Sequence, residues 1–272
     1  MPFRVSLQQV IAAFPRVDDA NVVAAARSDR ALRVALDMAR PRNWHGTGAS
    51  HDLLAAAKDE GIPLLWVPPA DVIRRLNAAG TAEQRSAVLL AERQQILAAC
   101  VGVVDECMSP EIAGDRHLVG KAVEALVDGH DEAGMALATS VGEGLAHWAI
   151  QPRVQAFKSE LDQETWTDQW KRVRGAGYRR IDLVGVAAND VEPWDFPRQV
   201  MLAPIHRFFI DYRPGDATRP EVMSRHVVAH RPTPDHMTAL NGLKAVMMVT
   251  GILREQEEWV RDVGETLPDE DL

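Results

Sequence analysis

Apolar residues recur along this chain mostly at helical spacing, and prolines, glycines and capping residues punctuate them. Between Ser6 and about Ala39 two helical patterns are separated near Pro15. The second carries Leu32, Leu36 and Met38 on one face. Arg40 to Gly48 interrupts the pattern with one proline and two glycines and reads as a loop. Ser50 to Glu60 predicts a short helix, Ile62 to Val67 an apolar extended piece, and Pro68-Pro69 the start of a helix ending at Gly80. Thr81-Ala82-Glu83-Gln84 is a capping box, and the helix it opens is expected to run to Ser109-Pro110. Leu89, Ile96, Leu97, Cys100, Val104 and Cys107 line one face of it. Further helices are expected from Asp115 to Val127 and from Asp131 onward. In the latter Leu137, Val141, Leu145 and Trp148 stack, with His147 at the core edge.

Phe157, Leu161, Trp166 and Trp170 suggest an aromatic helix face, and Ile181 to Ala188 fits strand or helix equally. Asp195 to Tyr212 reads as a helix broken or kinked at Pro204, with Val200, Met201, Ile205, Phe208 and Phe209 facing the core. The last helix is apolar nearly all round from Leu243 to Leu253, apart from Lys244 and Thr250. Such a helix must be covered on several sides, centrally in a bundle or at a subunit interface. The fold class is therefore all-α. It divides into a mostly helical N-terminal appendage, 1–80, a helical bundle, 81–263, and an acidic tail, 264–272.

Composition is that of a globular protein, 46% hydrophobic and 25% charged, and 272 residues can bury a substantial core. A formal net charge of −9 argues against broad, non-specific binding of nucleic acid. One segment departs from that balance. Lys171, Arg172, Arg174, Arg179 and Arg180 fall within ten residues with no acidic neighbour, and Tyr178 among them can stack on a base. The same run also fits a solvated helix end and loop. Cys100 and Cys107, seven residues apart on one helix, would have Cα atoms ~10 Å apart, too far for a disulfide. Two buried thiols, no visible secretory signal and no apolar run long enough for a bilayer lead to a cytoplasmic expectation, without a membrane. His45, His51 and Asp52 lack the spaced further ligands that a metal site requires, so no metal or other cofactor is expected.

The densest chemistry lies in Ser224-Arg225-His226-Val227-Val228-Ala229-His230. Thr218-Arg219-Pro220-Glu221 predicts the start of a short helix there. Pro232 and Pro234 predict its end, and Thr233-Pro234-Asp235 the opening of the next helix. Histidine can give or take a proton near neutral pH, and a guanidinium hydrogen-bonds two phosphate oxygens while staying charged. Cleavage of RNA through its own 2′-OH needs those group types and no metal. Five residues of helix rotate ~140°, so Arg225 and His230 do not share a face, whereas His226 and His230 do.

Arg225, four residues, then His230, with a polar His226 directly after the arginine, resembles the Arg-x4-6-His motif of HEPN domains. The resemblance extends into the apolar helix Met237 to Val260. Those domains are small and α-helical, and many are metal-independent RNases of toxin and phage-defence systems. The resemblance implies a HEPN-like bundle and an endoribonuclease acting on single-stranded or loop RNA. It further implies a homodimer in which two motifs line one cleft, with the apolar final helix near the interface. Arg225 would bind phosphate and transition-state charge, His230 would transfer a proton, and His226 would position RNA or Arg225. A cognate inhibitor protein is a further partner class for a toxin of this kind. Ser224 and Arg231 stand where relatives often carry Asn and Gly.

Two other readings use the same residues. Some HEPN domains are non-catalytic, so the chain can instead be a helical module that binds RNA or a protein partner. Alternatively His226 and His230 form an i, i+4 metal pair, although neither a zincin glutamate nor an obvious third ligand accompanies them.

Overall fold

The computed structural model describes residues 41–47, 51–160, 196–209 and 222–266. Of these residues 76% are helical and none is in a strand, which makes the described part all-α. The helical patterns within 6–39, the segments 161–192 and 218–221, and the tail from 267 lie outside the described residues.

In chain order the helices are a 3-10 turn (Arg42–Trp44), α1 (His51–Glu60), α2 (Ala70–Ala78), α3 (Ala82–Ala91) and α4 (Arg93–Asp105). A second 3-10 turn (Pro110–Ile112) then leads to α5 (Ala113–Val127), α6 (Asp131–Glu160), α7 (Phe196–Phe208), α8 (Arg225–His230) and α9 (Ala239–Thr266). Helix α9 is the axis, packed along α6, α4, α5 and α7. Every residue from Asn241 to Leu253 is buried, Lys244 and Thr250 included. An apolar surface on all sides has thus been covered by this chain's own helices. Over these residues no second chain is needed to cover it.

The described residues of the expected appendage are built into the same core. Trp44, Leu54, Ile62, Leu64, Val72, Ile73 and Leu76 are buried in one cluster with Leu89, Ile96, Val246 and Ile252. Ile62 to Val67 forms neither a strand nor an extended piece; it is an irregular loop, bent at Leu65 and Trp66 (Trp66 φ +64°) and buried from end to end. A buried loop must find partners for its carbonyls. Leu64 O accepts from Asn43 Nδ2 (3.0 Å) and Trp44 Nε1 (2.8 Å), and Pro68 O accepts from Asn43 Nδ2 (3.0 Å). Arg85 of α3 donates from Nε to both Glu60 carboxylate oxygens (2.9 and 3.0 Å), and Lys244 Nζ donates to the Glu60 carbonyl (2.8 Å). Over the described residues, those before position 80 and those after it share this one core.

The capping box forms as expected: Gln84 N–H donates to Thr81 Oγ1 (3.3 Å) and Thr81 N–H to Gln84 Oε1 (3.2 Å). The single helix expected after it does not. α3 and α4 meet at 69°. At the joint Glu92 leaves helical geometry (φ −96°, ψ 12°) and its carboxylate pairs with Arg75 of α2. The bend lays α3 against α2 and α9, and α4 along α5 and α9, so Leu89 and Ile96 both reach the core. One straight helix could not cover both.

α6 buries Met135, Ala138, Thr139, Gly142, Ala146 and Ala149 together with the expected Val141 and Leu145, while the expected Leu137 and Trp148 are only half-buried. Small residues dominate that line because α9 runs close against it. A Cβ at Gly142 would stand 3.1 Å from Val249 Cγ1, 3.2 Å from Met248 Cε and 3.3 Å from Phe208 Cζ. This close seam fixes the height of α6 and so places Glu143 and His147, on its outer side.

Candidate functional site

α8 is shorter than its sequence signals suggest. Met223 and Ser224 lie outside the helix and are buried, and the helix covers only Arg225–His230. Ser224 (φ −136°, ψ 127°) is drawn out of the helix by tertiary bonds: its N–H donates to Nε2 of buried His236 at 3.4 Å. The His236 carbonyl in turn accepts from Asn241 Nδ2 at 2.9 Å, so this histidine joins the start of α8 to the start of α9. Pro232 and Pro234 do end α8, but Thr233-Pro234-Asp235 forms a turn and not a helix start. α9 begins later, where Thr238 Oγ1 accepts from Asn241 N–H at 3.2 Å.

Within α8 the two histidines come together. The His226 and His230 ring centroids are 5.8 Å apart, with planes at 35°. His226 is half-buried and His230 exposed. Helical geometry alone predicts this i, i+4 neighbourhood.

Arg225 is turned the other way, toward α6. Its Nη1 lies 2.5 Å from Glu143 Oε2, and its guanidinium carbon 5.5 Å from the Phe209 ring centroid. The Arg225 side chain is 23% exposed and that of Glu143 is 44% exposed. Arg225 Nε is buried without a hydrogen-bond partner. The guanidinium is thus held by one carboxylate and one ring face, leaving part of its donor fork unused.

His147, placed by its sequence at the core edge, is exposed on α6 one turn after Glu143. Its ring stands edge-on to Phe209 at 6.4 Å. Phe209 therefore lies between Arg225 on one contact and His147 on another. Neither Glu143 nor His147 was marked by the sequence motif, because both reach the site from a helix about eighty residues earlier. Their i, i+4 spacing on the polar side of α6 was the available signal.

The basic segment Lys171, Arg172, Arg174, Tyr178, Arg179 and Arg180 lies outside the described residues. Among the described residues no group of three or more His, Cys, Asp or Glu side chains is arranged for a metal ion. Cys100 and Cys107 are free and buried, and burial pushes both thiols up to about 12, so neither offers a nucleophile near neutral pH. No single described helix is long and apolar enough to cross a membrane.

What fold and surface define together is an all-α protein, over its described residues, presenting a histidine pair beside a carboxylate-bound arginine. Comparison with protein-family models, with curated proteins and with solved structures finds no match to the chain.

Proposed function

We propose that this protein is a metal-independent endoribonuclease with a HEPN-like bundle, cleaving single-stranded or loop RNA as a homodimer in a toxin or phage-defence role. The observation that carries the reading is the His226–His230 pair, 5.8 Å apart on an accessible helix end, directly following Arg225. In this reading His230 transfers a proton at the scissile linkage and the neighbouring His226 positions the RNA. Arg225 would hold the phosphate and its developing charge. Arg225 and His230 face different sides of α8, so pairing of two chains is the way both reach one linkage. That part rests on the motif's resemblance.

The test is RNA breakdown in EDTA by the purified protein, beside Arg225→Ala and His230→Ala. Each variant is expected to lose at least about a hundredfold in rate while keeping its helical circular dichroism. Equal rates in all three preparations would sink the enzyme reading.

A second reading has an observation of its own. The Glu143 carboxylate and the Phe209 ring give Arg225 a structural use that needs no substrate. This favours a non-catalytic helical module binding RNA or a protein, for which His230→Ala would alter neither fold nor RNA integrity.

A further inference from the structure

We infer that Glu143 occupies the phosphate position on Arg225 in the free protein, and that binding of an RNA phosphodiester displaces it. This rests on the reading of Arg225 as a phosphate-binding group and adds a self-blocking contact to it. A carboxylate and a phosphodiester offer the same thing to a guanidinium, a pair of anionic oxygens, and compete for the same donor fork.

The geometry suits a displaceable occupant. Glu143 approaches Nη1, leaves Nε unpartnered, and is 44% exposed. The carboxylate side of this half-buried pair is open to water, which weakens the contact, so a phosphodiester reaching the same guanidinium can replace it. The guanidinium would stay in place during the exchange, because the Phe209 ring lies against it and its Nε is buried. The backbone at Glu143 would stay too, since neighbouring Gly142 is seated against Val249, Met248 and Phe208. Only the glutamate side chain has to swing, from a helix surface into solvent. In the free protein this contact offsets the arginine's charge, which keeps an acidic protein from holding polyanions weakly and at random.

The experiment measures binding of a short, fluorescent, mixed-sequence 2′-O-methyl oligonucleotide, which lacks the nucleophile and is not cleaved. Wild type, Glu143→Gln and Glu143→Ala are compared by anisotropy across a salt series, with thermal unfolding of each chain as a control for folding. Both variants are expected to bind about two- to fivefold more tightly than wild type. Their log K against log salt should be steeper by about 0.7, one further phosphate neutralised. The gain should vanish when Arg225→Ala is added, and Glu132→Gln, three turns away on the same helix, should change nothing. Binding that is no tighter in the Glu143 variants, or a gain that persists without Arg225, overturns the inference and leaves the RNA reading standing. If no variant binds the oligonucleotide at any salt concentration, the RNA reading fails and the inference with it.

Discussion

Lys244 shows how far a single residue's chemistry depends on where the fold places it. In the sequence it is a lysine on an apolar helix. In the structure its side chain is buried and its ammonium donates to the Glu60 carbonyl, the last of α1. Burial pulls it down from the ordinary 10.5 to about 8, and the nearby Glu60 charge opposes that shift. The sign follows from proton counting. Below pH 8 the folded and unfolded chains both hold this proton; between about 8 and 10.5 only the unfolded chain does. Stability should therefore rise with pH in that window, by on the order of 3 kcal/mol if nothing else titrates there. Urea midpoints from pH 7.5 to 10.5 should show the rise, and Lys244→Met should flatten it. Arg225 teaches the same lesson at the surface. Its residue type and its place beside two histidines were legible in the sequence. Its partners, Glu143 and Phe209, were not, since nothing local connects α8 to α6 or to the end of α7.

Elements behave likewise. The turn residues were sufficient where local bonds decide the outcome. Thr81 and Gln84 cap α3 reciprocally, Gly129 (φ +84°) separates α5 from α6, and Pro232 and Pro234 end α8. They were insufficient where packing competes. The bend at Glu92 contains neither proline nor glycine and exists because α3 and α4 cover different neighbours. Ser224 is held extended by the buried His236, against the helix that the upstream signals suggest. Glycine in a helix interior makes the contrast measurable. An alanine is favoured over glycine by about 1 kcal/mol in an open helix. Gly102 of α4 has open space around it, so Gly102→Ala should stabilise by about 0.5–1 kcal/mol. At Gly251 of α9 a Cβ would meet the Leu65 carbonyl oxygen and carbon, backbone that cannot rotate away. There overpacking wins, and Gly251→Ala should destabilise by about 1–3 kcal/mol. Chemical denaturation of both variants reads the two signs; a shared sign would contradict the packing of the 62–67 loop on α9.

At the scale of the molecule, one continuous core predicts one cooperative unit. Ile62, Leu64, Ile73 and Leu76 are each wholly buried and worth about 1.5–3 kcal/mol apiece. Together with the Arg85–Glu60 and Lys244–Glu60 bonds, their loss is comparable to the whole 5–15 kcal/mol net stability of an ordinary domain. A chain beginning at Thr81 should therefore lack a cooperative thermal transition, whereas the full chain shows one over α1 to α9. Calorimetry on both checks this, and a sharp transition in the fragment would establish a boundary at 80/81. The sequence by itself determined the helical class, the position of most helix ends, the need to cover the last helix on every side, and the His226–His230 neighbourhood. All of these follow from periodicity, capping or spacing within a few residues. The tertiary structure alone decided that α9 is covered by its own chain, that residues 41–78 belong to the core, and that α3 and α4 bend apart. It also decided that Arg225 rests on Glu143. Those outcomes depend on contacts between residues far apart in the chain, and short-range patterning carries no information about which distant surfaces will meet.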